Sequence, residues 1–456
     1  ASAVAAAAAV ADAPTLTVTN WATGSVNAAI PLDITAALTD TDGSETLGIT
    51  ISGVPTGASL SAGTVLGSSW TLTQAQLTNL TITPAANSDA DFTLGINAIA
   101  TEGVGGDTET TTASIAVTVS AINATAGNDV IQGGGGVDVI DGLAGNDLIY
   151  GNGGDDTLTG GSGIDALYGG EGNDTLNFDP GATPWSASFV GATIANADTG
   201  ENISISAYNR NYDVFDGGPH NDTLNLTSGN DALILHDNIS GFAPGLSAQA
   251  RIVSVETING GNGNDLIDLT SPMYVYGNVT INGGDGDDVI WSSVGDDTIS
   301  GGLGNDSLFG GDGNDVISGG SGVDKLYGHD GNDILAISNT TFQLIDGGSG
   351  TDTLRLDGTL DLDLTAIANS KTAGIEIIDI TGNANNTLRL NLQDILDMSD
   401  TSNTLQIDGD AGDTMAFYGG SLTSEADQVI NSVNYNVYSG SGANLLVNED
   451  VGIQWG

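Results

Sequence analysis

Aspartate recurs every nine residues in two stretches of this chain, a spacing that can set carboxylates side by side around a cation. From residue 283 to 336 the nines are GGDGDDVIW, SSVGDDTIS, GGLGNDSLF, GGDGNDVIS, GGSGVDKLY and GHDGNDILA, with Asp288, Asp297, Asp306, Asp315, Asp324 and Asp333 in phase. An aliphatic residue follows two places after each: Ile290, Ile299, Leu308, Ile317, Leu326 and Leu335. An earlier array sets Asp129, Asp138, Asp147, Asp156, Asp165 and Asp174 at the same interval, and shorter resumptions add Asp222, Asp231, Asp265 and Asp352. Glycines ahead of each aspartate permit a tight turn with positive φ. The three residues after it suffice for a short strand with one aliphatic pointing inward. Turn plus strand is half of a flattened coil, so two nonapeptides close one turn and alternate aspartates stack about 4.8 Å apart. Asp288, Asp306 and Asp324 then line one edge, and Asp297, Asp315 and Asp333 the other. Carboxylates at that spacing repel unless a cation lies between them. Carboxylate and carbonyl oxygens, without sulfur or imidazole, suit a hard ion, and calcium tolerates the flexible geometry of glycine turns. Multiple calcium ions are therefore the expected cofactor.

Composition supports that chemistry. The 456 residues carry 58 acids against 6 Lys plus Arg, a formal charge of −52 that repels nucleic acid and anionic membranes. With 39% apolar residues and dense β-branched runs, the chain can nonetheless bury a core, so its order should depend on cations. There is no cysteine, hence no disulfide and no demand for an oxidising compartment. No apolar run is long enough to span a membrane. Calcium sites of extracellular modules bind at about 10⁻⁴–10⁻³ M, which places the expected site of action outside the cell.

The repeats conform to G-G-x-G-x-D-x-U-x, and through them the chain resembles the RTX (repeats-in-toxin) proteins, whose nonapeptides bind calcium on a parallel β-roll. The expected fold is all-β: an immunoglobulin-like sandwich, then right-handed parallel β-roll blocks, then a mixed, mostly β C-terminal segment. Residues 1–12 read as the end of a preceding module, which makes the chain an expected fragment of a longer array. Residues 13–121 alternate apolar and polar positions in LTVTN, PLDITAAL, LGITISG, WTLTQAQLTNLTITP, FTLGINAIA and ASIAVTVSA, the pattern of a β-sandwich. PLDITAALTDTDGSETLGITISGVPTGASL and WTLTQAQLTNLTITPAANSDADFTLGINA resemble the cadherin-like, immunoglobulin-fold repeats of large RTX adhesins. Asp40, Asp42 and Glu45 there, with Asp89 and Asp91, are either a second calcium cluster or solvated loop acids.

Residues 122–177 form a first roll, 178–258 an insertion with a short resumption of the repeat, and 259–352 a second roll. The insertion gathers Trp185, Phe189, Tyr208, Tyr212 and Phe215, which read first as its own core and second as a contact for a sugar or partner. In 353–456 the nonapeptide stops. NLQDILDM, with Leu392, Ile395 and Leu396 on one face, is expected to be a short helix followed by strands. LNLQDILDMSDTSNTLQIDGDAGDTMAF followed by YNVYSGSGANLLVNEDV resembles the C-terminal region of RTX adhesins exported by type I secretion. That resemblance implies the type I machinery as a partner and a secreted or cell-surface location on a Gram-negative bacterium.

Catalytic constellations are lacking. His220, His236 and His329 lie in no H-E-x-x-H, and no G-x-S-x-G elbow or Walker loop occurs. A non-enzymatic role is expected. The leading reading is a secreted calcium-dependent adhesin acting in attachment or biofilm, touching a surface polysaccharide, a host surface or its own copies. A self-assembling surface layer or filament subunit and the RTX part of a secreted enzyme are the alternatives.

Overall fold

A computed structural model describes residues 10–26, 28–85, 90–120, 124–134, 136–179, 193–195, 202–204, 208, 213–235, 250–271, 274–382, 385–399 and 402–456. In the N-terminal module the alternating segments become strands. Phe92–Glu102 lies between Thr108–Ser120 and Glu45–Ser52, antiparallel to both, and Trp21–Ser25 joins the outer side of Thr108–Ser120 in parallel. Ser69–Leu72 and Thr64–Leu66 complete this sheet on its other side. Ile30–Pro31, Thr81–Thr83 and Ser59–Leu60 make a second sheet, and Thr15–Val18 pairs with Ile34–Ala37. Apart from the exposed Thr64–Leu66, they share one core, in which Ile49, Ile51, Leu94, Ile96 and Ile115 meet Ile30 and Ile82. One expected strand gives way to a turn. Gln74–Leu77 is a 3-10 helix because Thr73 and Gln76 form a capping box that satisfies the freed backbone donors.

From residue 124 onward the nonapeptides coil as their period requires. Ile281, Ile299, Ile317, Leu335 and Leu354 are successive partners in one parallel sheet. Ile290, Leu308, Leu326 and Ile345 do the same in the sheet opposite. Within the regular array partners lie 18 residues apart, two nonapeptides per turn. Every one of these aliphatics is buried, and together they form a core only one side chain deep per strand.

The sheet that holds Ile299 continues far past the nonapeptides. Among the described residues its parallel strands run from Val139–Asp141 through the insertion to Ala443–Asn448, and three antiparallel strands beyond them bring the sheet to 16. Three shorter sheets face it in succession, of 5, 7 and 4 strands, beginning at Val130–Gln132, Ala232–Ile234 and Asp361–Asp363. A single apolar core connects Ile131 to Val451. The last parallel strand then pairs antiparallel with Val433–Gly440, which also takes Thr423–Ser424 and Gln428–Ile430, so a hairpin covers that edge. The expected helix is Leu392–Met398, capped by Asn391 and Asp394, with Ile395 and Met398 buried. In the insertion, Asn202–Ser204 of the expected strand NISISAYN pairs antiparallel with Thr193–Ala195.

A core this thin makes each inward residue count. Leu308→Ala should lower the unfolding free energy in saturating calcium by about 2–5 kcal/mol. Thr298→Ala, on the outer surface of the same coil, should change it by less than about 0.5 kcal/mol. Denaturant unfolding followed by far-ultraviolet circular dichroism checks both.

Candidate metal centres

Each turn folds its aspartate inward over its own glycines. In GGLGNDSLF, Gly304 has φ 136, which a side chain rarely tolerates. Gly301 is excluded from carrying a side chain for another reason: a Cβ there would overlap Asp306 Oδ2. His329 and His220 occupy glycine positions of the pattern at φ 78 and φ 96, His329 near the end of the strand Lys325–Asp330 and His220 in the bend ahead of Thr223–Asn225. His236 lies outside the described residues.

The aspartates then stack in columns linked by the backbone. The amide of Asp288 donates to Asp306 Oδ1 at 2.9 Å, and that of Asp306 to Asp324 Oδ1 at 3.0 Å. On the other edge Asp297 donates to Asp315, Asp315 to Asp333 and Asp333 to Asp352, each at 2.8 Å. The first array repeats the arrangement from Asp129 to Asp147 to Asp165 and from Asp138 to Asp156 to Asp174. Across the insertion, Asp174 donates to Asp222, while Asp231 starts a column through Asp265 to Asp288.

One oxygen of most carboxylates is thereby used and the other is not. Oδ2 of Asp147, Asp156, Asp165, Asp174, Asp222, Asp265, Asp288, Asp306, Asp315, Asp333 and Asp352 is buried without a hydrogen-bond partner. Burial accordingly pushes these carboxyls up, against the pull of the donated amide, and neighbouring carboxylates push several further. Asp156, Asp165, Asp288, Asp306, Asp315 and Asp352 rise to about 7 and Asp265 to about 8. Asp324 is also raised, and Asp222 and Asp297 reach about 6.

Some turns supply their own donor. Thr125 donates to Asp129 Oδ2 and Thr227 to Asp231 Oδ2, each through amide and hydroxyl. The amide of Gly134 reaches Asp138 Oδ2 at 2.6 Å, and Ser292 Oγ donates to Asp297 Oδ2. Asp129, Asp138 and Asp231 open their columns, so protein donors stand there where the later turns have a bare oxygen.

Sets of buried, unpartnered carboxylate oxygens at strand spacing fit a hard divalent cation. No three acidic or histidine side chains converge among the described residues, so carboxylates alone cannot fill a coordination shell. Backbone carbonyls and water would supply the remaining oxygens, a mixture calcium accepts at 6–8 ligands. Residues 121–149, 150–182, 210–233, 255–270, 276–299 and 300–335 match the family described as RTX calcium-binding nonapeptide repeat (4 copies). The chain carries RTX repeats. No curated protein matches it. Repeats of this family are calcium-binding motifs and occur in proteins that are typically secreted, in agreement with the columns of bare carboxylate oxygen here.

The RTX columns also recruit residues that the glycine pattern does not mark. Asp165 donates to Asp213 Oδ1, Asp222 to Glu256 Oε2 and Asp352 to Glu376 Oε2. In the last coils Leu360 donates to Asn386 Oδ1, and Asn386 to Asp413 Oδ1. The signal was present without glycines: Phe215, Ile258, Ile378, Leu388 and Met415 each follow two places after these acceptors.

The acids of the N-terminal module are placed differently. Asp42 is exposed and Asp40 half-buried, and each accepts an amide of its own loop, from Ser44 and Asp42 respectively. Asp91 accepts from the amide of Val119 at 2.9 Å, and Asp89 lies outside the described residues. Glu45 is buried. Of the aromatic residues in the insertion, Phe215 is in the coil core and Tyr208 packs on Trp291 and Phe309. Trp185, Phe189 and Tyr212 lie outside the described residues.

The raised carboxyls give the metal-free coil a pH dependence of definite sign. Their folded values, about 6 to 8, lie above the ordinary 3.8, so ionisation opposes folding. Stability is fullest below 3.8 and is lost as pH rises through about 7. In chelator, the chain should therefore show more β structure by circular dichroism at pH 5 than at pH 8. At limiting calcium the trend in affinity runs the other way, weakening toward pH 5 as protons compete for the same oxygens.

Proposed function

We propose that this chain is a calcium-dependent module of a secreted adhesin whose role is mechanical rather than catalytic. The reading rests on the columns of buried, unpartnered Oδ2 atoms, which make folding conditional on a cation. Inside a cell, where free calcium is scarce, the charge of −52 keeps the chain expanded, a form suited to export through a type I channel. Outside, millimolar calcium neutralises the columns, and the coil sets into a stiff rod joined to the N-terminal module. The C-terminal resemblance to exported adhesins supports that order of events, with a Gram-negative surface as destination and a surface polysaccharide or host surface as target. The same charge disfavours nucleic acid as a partner. No helix among the described residues is long and apolar enough to cross a membrane.

One feature favours the alternative of self-assembly. Gly452–Trp455 is hydrogen-bonded on one side only among the described strands, and Trp455 at its end is exposed. An open edge of that kind can template a second chain.

A calcium titration at physiological salt, followed by circular dichroism and light scattering together, decides between them. A cooperative coil-to-β transition between about 10⁻⁴ and 10⁻³ M without growth in size is the expected outcome. Growth into large particles at the same midpoint would favour the filament, and no transition would overturn the calcium reading. Asp306→Ala with Asp315→Ala, one on each edge, should move the midpoint to higher calcium and broaden it.

A further inference from the structure

The N-terminal module contains a carboxylate pair that the RTX columns do not explain. Leu94, Ile96, Ala98 and Ala100 form the inward row of Phe92–Glu102, and the next residue in that row is Glu102. Ile49 and Ile51 form the inward row of Glu45–Ser52, and Glu45 heads it. The two glutamates are direct cross-strand partners on the core side of the sheet, 8% and 3% exposed. Like charges placed so are destabilising.

Their hydrogen bonds leave the pair underserved. Glu45 Oε1 accepts from the amide of Asp12 at 2.6 Å, while its Oε2 is buried with no partner. Glu102 has Ser44 Oγ at 3.3 Å and the amide of Val104 at 3.5 Å, both long for a charged acceptor. Residues 1–209 contain no Lys, Arg or His, so the sequence of this module offers no side chain to neutralise them.

We infer that Glu45 and Glu102 hold a hard divalent cation, calcium by its tolerance of mixed oxygen donors, at the rim of this core. The site is separate from the nonapeptide turns. The ion bridges two strands of the central sheet, and through the Asp12 amide on Glu45 it fastens the incoming segment to them. Backbone carbonyls and water complete its shell. Asp40 and Asp42, turned to their own loop, take no part.

Hydrogen exchange read by mass spectrometry on the full chain at pH 7 tests this, because peptides from the module and from the coil report separately. Calcium at one hundred times its dissociation constant should slow exchange of opening-limited amides in 45–52 and 92–102 by about 100-fold. The double variant Glu45→Gln/Glu102→Gln removes both charges. It should be at least as protected as the wild type in chelator and gain nothing from calcium in these strands, while 280–335 still responds. Equal exchange in 45–52 with and without calcium in the wild type would overturn the inference and leave the reading of the coil intact. So would a calcium response that survives the double variant, or a loss of protection in chelator when the charges are removed.

Discussion

Buried carboxylates one strand apart are the constraint on which this coil depends. Two charges ~5 Å apart at an effective dielectric near 20 repel by about 3 kcal/mol, and each column repeats that contact at every turn. The backbone softens it by donating one amide to each carboxylate, but the second oxygen stays bare in most turns. A proton or a cation must occupy that position for the stack to close at neutral pH. Divalent ions act on neighbouring turns at once, because the oxygen they bind belongs to an aspartate already hydrogen-bonded to the turn before it.

The thinness of the core gives the ion its leverage. Each nonapeptide commits one inward aliphatic to the core, whereas a single site held at 100 times its dissociation constant adds about 2.7 kcal/mol. A few such sites reach the roughly 5–15 kcal/mol by which whole domains are stable. The N-terminal module is built on the opposite balance. Its strands bury two opposed rows of Ile and Leu, and acids intrude only at the rim, at Glu45 and Glu102.

Much of the coil was legible because one residue type served two demands at each position. Glycine allowed the turn and cleared room for the carboxylate, so the period of nine fixed strand, register and site together. Legibility failed where the demands separate. Glu256, Glu376, Asn386 and Asp413 hold the same place in the columns with only an inward aliphatic to betray them, because a looser turn needs no paired glycines. The self-capping of Asp129 and Asp231 was hidden for a related reason: Thr125 and Thr227 stand where a glycine usually does, and a hydroxyl there signals a cap only once the turn is closed. In the N-terminal module, alternation located the strands but could not show that Glu45 faces Glu102, which depends on a pairing 57 residues apart.

The two outer faces of the coil differ in polarity. On the long sheet, Thr157, Thr175, Thr223, Thr257, Thr280 and Thr298 stack in register, with Asn225, Asn259 and Asn282 joined amide to amide at 2.9 Å beside them. The amides satisfy one another, and the threonines, none of them buried, can face water. Across the coil the corresponding positions are Ala232, Leu266, Trp291 and Phe309, all buried, with Phe309 stacked on Tyr327 at 4.5 Å and Tyr208 of the insertion packed against the group. An apolar outer face cannot be left to solvent, so this sheet requires a cover that the polar one does not. The insertion also coincides with a break in the carboxylate columns. At that level Arg251 is buried, donating to the carbonyls of Asp213 and Ile234, and Val279 takes the place of an aspartate beneath Asp297. A guanidinium and an aliphatic residue thus stand where the columns pause.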